Sequence, residues 1–310
     1  MEMHKRFIGK TAIVTGGGGN IGRYTALRLA QEGCSVVICD LNEDKAAAVA
    51  AEIRQKGGQA VAFRTDVKDS ADVRHSVAKT IAHFGQIDIL VCCAGGSTRE
   101  KMCYFCDQTE DVILDNIGVN LFGALFFAHA VCNHMIERKQ GRIIFIASVL
   151  GTQGQRGTVE YSASKGGVLA MTKALSMELG EFGVTVNAVS PGLVERGSQD
   201  VSDRNYIGRN CTADDIANAV AFLASEEASF ITGANLTVDG GWGLGVQSGI
   251  TPGRNNYRVV RERQRELSSK QGLFSSKGAG YETNSDRSNR NRPFSRGSNT
   301  GYHSQVSRSF

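Results

Sequence analysis

The chain of 310 residues lacks the patterns that mark membrane-spanning and disulfide-stabilised proteins. No uninterrupted apolar run approaches the roughly 18 residues of a membrane helix, and the charged first ten residues do not resemble a signal peptide. The eight cysteines are scattered through apolar segments, without the regular spacing of a disulfide framework. These absences predict a reduced, cytoplasmic protein with no membrane segment.

Metal-ligand spacing is also missing. The six histidines occur singly. Cys103 and Cys106 have the spacing of a redox motif or of half a zinc site, but no second such pair lies nearby in the sequence. Because a tetrahedral zinc site needs four ligands, we interpret this pair as coincidental and expect no metal site.

The charge is unevenly distributed along the chain. The formal net charge of +4 divides into +8 over residues 250–310 and −4 over residues 1–249. Residues 250–310 contain 11 serines and almost no aliphatic side chains. Such a composition cannot bury a core, so we expect this basic tail to be disordered, with one candidate helix at 257–267.

The tail also carries aromatic side chains among its arginines. Arginine and aromatic residues together could bind RNA by charge and stacking. A solvated extension without function is the favoured interpretation, so nucleic acid is not expected as a partner of the folded domain. The aromatic residues that alternate with the arginines include Tyr257, Phe274, Tyr281, Phe294 and Tyr302.

Residues 11–240 alternate short β-branched runs with longer helical patterns. This alternation is typical of βαβ units, and the near-continuous apolar strands indicate a sheet covered on both faces. The predicted strands are 11–15, 35–40, 60–64, 87–92, 142–147, 185–189 and 235–238. The predicted helices are approximately 21–32, 43–56, 69–84, 110–138, 160–182 and 214–224. The pattern predicts an α/β fold with a Rossmann-type, doubly wound parallel sheet in one domain over residues 1–249.

A glycine-rich turn connects the first predicted strand to the first predicted helix, with the sequence TGGGGNIG at 15–22. Glycines permit a tight turn and close approach of the backbone to a pyrophosphate, which then lies at the helix N-terminus. Because this turn follows a strand and precedes a helix, it predicts a dinucleotide-binding site.

Asp40, at the end of the second predicted strand, indicates which dinucleotide binds. A carboxylate here can accept hydrogen bonds from both ribose hydroxyls of NAD and would repel the 2′-phosphate of NADP. No Arg or Lys is adjacent to Asp40 in the sequence, so NAD is predicted over NADP. The alternative is a helix-capping or turn aspartate, although Asn42 could cap the same helix.

Ser148, Tyr161 and Lys165 form a candidate acid/base group. Tyr161 and Lys165 are four residues apart, so they share one face of a helix. A nearby ammonium favours the phenolate and lowers the tyrosine pKa from about 10 toward the working range. Ser148 follows a strand end, where its hydroxyl can orient a substrate oxygen. On spacing alone, a surface tyrosine–lysine pair is the alternative.

Together these motifs resemble the short-chain dehydrogenase/reductase family over residues 7–245. The resemblance implies an oxidoreductase that transfers a hydride between a nicotinamide cofactor and a secondary alcohol or ketone. The motifs that match in order and spacing are TGGGGNIG at 15–22, Asp66-Val67, CCAG at 92–95, VNLFGALF at 119–126, Ser148, YSASK at 161–165, VNAVSPG at 186–192 and TVDGGW at 237–242.

The resemblance also implies a role for individual residues. Tyr161 would be the acid/base, and Lys165 would lower its pKa and hold the nicotinamide ribose. Ser148 would bind the reacting oxygen, and Asn120 would anchor a water for proton relay. The other implied cofactor residues are Gly16, Asn20, Ile21 and Gly22 at the pyrophosphate, Asp40 at the adenosine ribose, Asp66 and Val67 at the adenine, Pro191, Gly192 and Val194 at the nicotinamide, and Ala94 and Gly95.

Three features depart from the family pattern. Asn20 replaces a glycine, and because Asn tolerates left-handed backbone angles, we expect the turn to be preserved. Cys92 and Cys93 replace two asparagines, which removes amide hydrogen bonds beside the cofactor. Arg196 replaces a threonine that often bonds the nicotinamide amide.

The substrate is less well defined than the cofactor. Hydroxysteroids or bile acids, polyols or cyclic alcohols, and 3-oxoacyl thioesters are all candidates. The predicted lid at 193–208 is short and polar, which favours a large substrate or a partner that completes the pocket. Arg99 and Lys101 could contact an anionic group, although a solvated loop is the favoured interpretation.

Two further interpretations concern assembly and a rival function. The apolar helix at 117–136 indicates core or subunit interface, and the family resemblance implies a homotetramer or homodimer. The rival function is a non-catalytic binding or regulatory protein that keeps the dinucleotide fold and acts through its basic tail.

Overall fold

Seven strands with apolar, β-branched sequences lie at the centre of the molecule. In the computed structural model, which describes residues 5–97, 99–195 and 200–244, they form one parallel sheet in the order β3-β2-β1-β4-β5-β6-β7. All the predicted strands are confirmed, with small differences at their ends. The strands are β1 Thr11–Thr15, β2 Ser35–Asp40, β3 Gln59–Arg64, β4 Ile89–Cys92, β5 Gly141–Ile146, β6 Val184–Pro191 and β7 Asn235–Val238.

Helices cover both faces of this sheet, as predicted for a doubly wound fold. The α-helices in the described residues are α1 Asn20–Gln31, α2 Glu43–Gln55, α3 Ser70–Phe84, α4 Glu110–Ile117, α5 Gly123–Arg138, α6 Leu150–Gln153, α7 Val159–Leu179 and α8 Ala213–Ala224. Successive strand residues belong to different cores: Val14 clusters with residues of α1, α2 and α8, and Ile13 with residues of α3, α5 and α7. Burial of each large apolar side chain stabilises the fold by roughly 1.5–3 kcal/mol.

The predicted helix at 110–138 is not α-helical throughout. A π-helical segment, Gly118–Phe122, separates α4 from α5. Within it, the side-chain amide of Asn120 donates a hydrogen bond to the backbone oxygen of Asn116 at 3.0 Å. π-Helical turns occur frequently at functional sites, and this one carries a predicted site residue. The helix predicted at 110–138 is therefore confirmed, with a π-helical turn at its centre that the sequence did not predict.

The segment Glu110–Arg138 is long and apolar enough to cross a membrane by length and composition alone. No membrane helix was predicted from the sequence, because polar residues interrupt the apolar run. The hydropathy averaged over the segment is nevertheless high. In the fold, Phe127, Val131 and Met135 of α5 are buried in the core on one face of the sheet. Core helices can have the same length and apolar composition, so we do not assign this segment to a membrane.

Several predictions lie outside the described residues. They are Arg196 and the lid residues 196–199, the domain boundary at 249, the basic tail and its candidate helix at 257–267. All eight cysteines are described, and all are free thiols.

Candidate active site

A cavity of about 940 Å³ opens beside the carboxyl ends of the strands. Ligands of doubly wound sheets bind at this edge, where the strand order reverses, which here is between β1 and β4. The predicted site residues that line the cavity are Gly16, Asn20, Ile21, Gly22, Asp40, Asp66, Val67, Ala94, Gly95, Ser148, Tyr161, Lys165, Pro191, Gly192 and Val194. Asn120 is buried beneath it.

The turn between β1 and α1 requires glycine at two positions. Gly16 has a φ of +60°, and a Cβ there would lie 2.7 Å from Ala94 Cα. A Cβ at Gly22 would lie 2.2 Å from Gly16 O. The backbone is therefore packed too closely for a side chain, which leaves the N-terminus of α1 open to the cavity.

Asn20 is accommodated for a different reason from the one expected. It is the first residue of α1 and does not use a left-handed conformation, since Lys139 is the one non-glycine residue with a positive φ in the described part of the chain. Its side chain instead donates to Glu195 O at 3.3 Å, which ties the turn to the loop after β6.

The carboxylate of Asp40 is fixed by two backbone donors. Its Oδ2 accepts from Gly18 N and its Oδ1 from Asn42 N, each at 2.9 Å. Asn42 is the N-cap of α2, so the capping alternative for Asp40 is wrong. The bond from Asn42 N is a turn interaction, so Asp40 has the role of a turn aspartate as well as lining the cavity. The structure also places Lys45 here: a Cβ at Gly18 would lie 2.7 Å from Lys45 Cβ and 3.1 Å from Asp40 Oδ2. Sequence adjacency had not indicated this lysine.

Asp66 and Val67 follow β3 at the same edge. Asp66 Oδ1 accepts from Lys68 N at 2.9 Å, which is a turn interaction, and the residue also lines the cavity. Val67 packs against the start of α5, because a Cβ at Gly123 would lie 2.7 Å from Val67 Cγ2. These contacts fix the position of the loop after β3.

Tyr161 and Lys165 lie on α7 and share its cavity-facing side. The Lys165 ammonium is buried, donates to Ile146 O at 2.7 Å, and lies 5.8 Å from the centroid of the Tyr161 ring. Burial lowers the pKa of Lys165 from 10.5 to about 8, partly offset by the thiols of Cys93 and Cys92. The predicted pairing of a phenol with an adjacent ammonium is thus present in the geometry.

Ser148 follows β5 and is nearly buried. Its Oγ accepts from Leu150 N, the first residue of α6, at 3.2 Å. A serine hydroxyl has one hydrogen to donate, and accepting this bond leaves that hydrogen available toward the cavity. The predicted helices do not include α6, the short helix whose start orients this hydroxyl.

Asn120 lies behind the backbone that follows β4. Its Oδ1 accepts from Gly96 N at 3.2 Å, and its Nδ2 donates to Gly96 O at 3.1 Å. A Cβ at Gly95 would lie 2.4 Å from Asn120 Oδ1 and 3.4 Å from Lys165 Nζ. The space that a side chain at Gly95 would fill is therefore bordered by both the Asn120 amide and the Lys165 ammonium.

The two cysteines that replace asparagines are neutral thiols. Burial raises the pKa of Cys93 to about 12 and that of Cys92 well above its ordinary value. The loop after β4 is still tied to β1, because Ala94 N donates to Thr15 Oγ1 at 3.1 Å. This bond joins the two strands at the position where the asparagine amides are missing.

Comparison with known proteins identifies the family. A family model described as enoyl-(acyl carrier protein) reductase matches residues 18–243. The (2S)-[(R)-hydroxy(phenyl)methyl]succinyl-CoA dehydrogenase subunit BbsD of Thauera aromatica is 38% identical over 244 residues, which cover 76% of this chain and 97% of that protein. The chain is a short-chain dehydrogenase/reductase.

Two further comparisons agree with this assignment. The 1,6-dihydroxycyclohexa-2,4-diene-1-carboxylate dehydrogenase of Acinetobacter baylyi is 37% identical over 263 residues, covering 78% of this chain and 99% of that one. The crystal structure of gox2181 has a TM-score of 0.74 and 32% identity, covering 78% and 98% of the two chains. This short-chain dehydrogenase/reductase is thus an oxidoreductase, and its family implies an NAD(P) cofactor.

The cavity fits such a cofactor on its own geometry. The glycine turn leaves a cradle at the N-terminus of α1 that a Cβ would fill. Asp40 presents a fixed carboxylate along the same cavity, and Lys165 presents a buried ammonium. Within the described ranges, no group of three His, Cys, Asp or Glu side chains is placed to hold a metal ion.

Besides Lys45, two residues at the site of this short-chain dehydrogenase/reductase were not predicted from the sequence. Asn116, at the end of α4, is 3% exposed and contacts Asn120; the four-residue spacing of the two asparagines was a usable signal. Trp242 lines the cavity, and its turn is tied to α6 because Gln153 Nε2 donates to Gly243 O at 3.1 Å. Lys101, by contrast, is exposed to solvent.

Proposed function

We propose that the protein transfers a hydride between NAD(H) and a secondary alcohol or ketone, with Tyr161 as the acid/base. One observation carries the proposal: the buried Lys165 ammonium lies 5.8 Å from the Tyr161 ring in a cavity that Ser148 also lines. A fixed cation beside a phenol stabilises the phenolate. The other residues then orient what the phenol acts on.

In the oxidation of the alcohol, each residue has a separate role. The Tyr161 phenolate accepts the hydroxyl proton of the alcohol, and Ser148 donates its hydrogen bond to the same oxygen. Lys165 holds the phenolate form by its charge, and Asn120 supports the backbone beside Lys165. When bound, the nicotinamide supplies the hydride acceptor. Most of the rate acceleration comes from positioning and from the tuned phenol.

We propose NAD as the preferred cofactor. The Asp40 carboxylate is held by Gly18 N and Asn42 N, so it cannot easily turn away from an approaching 2′-phosphate, which it would repel. Lys45, whose stem lies beside Gly18, carries the opposite charge. We expect Asp40→Ser to improve the kcat/KM for NADP, and Lys45→Met to weaken NADP in preference to NAD.

The names of the relatives support two of the candidate substrate classes. One relative is named for a hydroxylated acyl-CoA thioester and the other for a ring that bears hydroxyl and carboxylate groups. Leu150, Leu193 and Trp242 give the cavity an apolar lining. We therefore propose a cyclic alcohol or an acyl thioester with an oxidisable hydroxyl, and place hydroxysteroids third.

The test is NAD reduction followed at 340 nm across a panel of secondary alcohols, with NADP in parallel. We expect turnover with NAD, and we expect Tyr161→Phe to lower kcat by about 10²–10⁴-fold, the usual range for a lost acid/base group. Retained turnover in Tyr161→Phe would refute the mechanism. A higher kcat/KM with NADP would refute the interpretation of Asp40.

Assembly and location stay predictions. Phe122 and Leu125 are partly exposed on the segment predicted to form a subunit interface, and we propose a homodimer or homotetramer, testable by light scattering on the purified protein. A cytoplasmic location also stays a prediction. The rival binding function through the basic tail is not favoured, because the dehydrogenase relatives match the body of the chain.

A further inference from the structure

We propose that Asn116 is a positioning residue, which fixes the Asn120 amide and the Gly95–Gly96 backbone beside Lys165. The proposal rests on the proposed function, in which Lys165 controls the proton affinity of Tyr161. It assigns a role to a buried side chain that is not part of the family motifs.

The surroundings of Asn116 show a side chain with all its polar atoms in use. Asn116 is 3% exposed, and a buried amide must be hydrogen-bonded to avoid a desolvation cost. Its Nδ2 donates to Gly96 O at 3.4 Å, and its Oδ1 accepts from Asn120 Nδ2 at 3.2 Å. Its backbone oxygen accepts from the same Nδ2 at 3.0 Å.

These contacts leave the Asn120 amide a single orientation. Its Nδ2 faces both oxygens of Asn116 and Gly96 O, while its Oδ1 accepts from Gly96 N. The Cβ position of Gly95 lies 2.4 Å from that Oδ1 and 3.4 Å from Lys165 Nζ. A shift of the Asn120 amide would therefore move the loop after β4, which borders the Lys165 ammonium.

Asn116 also contacts α7 directly. The Ser164 hydroxyl lies 3.3 Å from Asn116 Oδ1 and 2.8 Å from Tyr161 O. Ser164 immediately precedes Lys165 and completes the turn that begins at Tyr161. One side chain thus joins three segments that surround Lys165: the end of α4, the loop after β4, and the turn of α7 that carries the acid/base pair.

The alternative is a purely structural role, in which Asn116 only provides hydrogen-bond partners for buried polar groups. The two roles differ in their effect on Lys165. In the described part of the chain, the titratable groups that face Lys165 are Tyr161 on its own helix and the thiols of Cys92 and Cys93 from β4. Without Asn116, the Asn120 amide and the loop after β4 would lose a fixed partner beside the ammonium. A less well-ordered polar environment there would further lower the pKa of Lys165.

The test uses Asn116→Leu, which has a similar volume and no hydrogen bonds. The matched control is Asn187→Leu: Asn187 of β6 is equally buried and bonds two backbone groups, Ile231 O at 2.7 Å and Ala234 N at 3.1 Å, outside the cavity lining. Both variants are expected to lose thermal stability. Asn116→Ser replaces Asn116→Leu if the latter does not fold.

The first readout is the titration of the Lys165 side chain, followed by NMR of ¹³Cε-labelled lysine and assigned by its absence in Lys165→Met. This readout needs neither cofactor nor substrate. We expect the pKa of Lys165 to fall by about half a unit or more in Asn116→Leu, in the direction that loss of solvation dictates, and to stay unchanged in Asn187→Leu. An unchanged titration in Asn116→Leu, or an equal shift in the control, would overturn the proposal.

The second readout is the pH profile of kcat. We expect Asn116→Leu to lower kcat about tenfold and to raise the pH at which the acid limb falls, with KM for NAD changed less than about threefold, since the loss is one of positioning. A kcat loss with the wild-type pH profile would indicate structure alone. If Tyr161→Phe keeps its turnover, the proposed function fails, while the NMR titration still decides the role of Asn116.

Discussion

At the scale of one residue, burial changes the pKa of Lys165. Its ammonium has one backbone oxygen as a hydrogen-bond acceptor, and its pKa is lowered to about 8 by removal from water. Because the pKa of the unfolded chain is higher, the unfolded state binds more protons between about pH 8 and 10.5. The stability contributed by this residue must therefore rise with pH across that window.

This linkage can be measured against Lys165→Met. The unfolding free energy of the wild type minus that of the variant is expected to be flat below about pH 8 and to rise by up to about 3 kcal/mol toward pH 10.5. Urea unfolding at a series of pH values measures it. Lys173→Met, on the exposed side of α7, is the control and should give a flat difference. A flat difference for Lys165→Met would show that its pKa is not lowered.

Gly95 and Gly96 offer a matched pair of neighbouring substitutions. A Cβ at Gly95 would lie 2.4 Å from Asn120 Oδ1 on a backbone with a φ of +153°, whereas a Cβ at Gly96 would meet nothing within 4 Å. We expect Gly95→Ala to cost about 1–3 kcal/mol of unfolding free energy. Gly96→Ala should change it by less than about 0.5 kcal/mol. Equal losses in thermal or urea unfolding would contradict this account.

At the scale of elements, sequence patterns located the strands better than the detail of the helices. β1, β2 and β7 have the predicted limits because their apolar runs end at glycine or polar residues. The π-helical segment Gly118–Phe122 could not be predicted, since helical periodicity does not separate an α-turn from a π-turn. Within this segment, the Asn120 side chain donates hydrogen bonds to Asn116 and to the loop after β4.

The residues of the candidate site likewise fall into those that could be predicted from the sequence and those that could not. Its motif-bearing residues could be predicted because they resemble a known family, and they line one cavity in the structure. No site role was predicted for Asn116, Trp242 or Lys45, since the contacts that bring each of them to the site join segments distant in sequence. Trp242 belongs to the TVDGGW motif and Asn116 is four residues from Asn120, but neither pattern assigns a role at the site.

Asp88, just before β4, joins several elements at the opposite edge of the sheet. Its carboxylate is 2% exposed and accepts from Thr11 N at 2.8 Å and from Arg138 Nη2 at 2.9 Å. Asp88→Ala would leave a buried donor and a partly buried cation without this partner, so we expect a loss of about 2–4 kcal/mol in urea unfolding.

A solvent-exposed ion pair is the comparison for Asp88. Lys56 and Glu52 on α2 are four residues apart, and the Lys56 side chain is 65% exposed. Lys56→Ala should cost less than about 0.5 kcal/mol, as exposed helical pairs do. An Asp88→Ala loss no larger than that of Lys56→Ala would show that the buried carboxylate does not join these elements.

At the scale of the whole molecule, the candidate site and the basic tail belong to different parts of the chain. Among the residues that the structure describes, those that line the cavity lie between Gly16 and Trp242, and the buried residues of the two cores lie between Phe7 and Ala228. The formal charge also separates, with −4 before residue 250 and +8 after it. A function of the tail should therefore be separable from turnover.

Truncation after Gly249 tests this separation. Because no described cavity or core residue is removed, we expect the melting temperature to change by less than about 1 °C, whereas a loss of 1 kcal/mol shifts it by about 2–4 °C in a domain of this size. The kcat/KM with NAD should change by less than about twofold. Turnover lost in a folded truncation variant would place the tail in the active site. RNA binding by the full chain that weakens steeply with salt and disappears on truncation, together with inactivity across the substrate panel, would instead favour the rival function. Hydride transfer in the cavity should survive the truncation, whereas RNA binding by the charged tail should be lost. One preparation of the truncated protein therefore distinguishes the two functions.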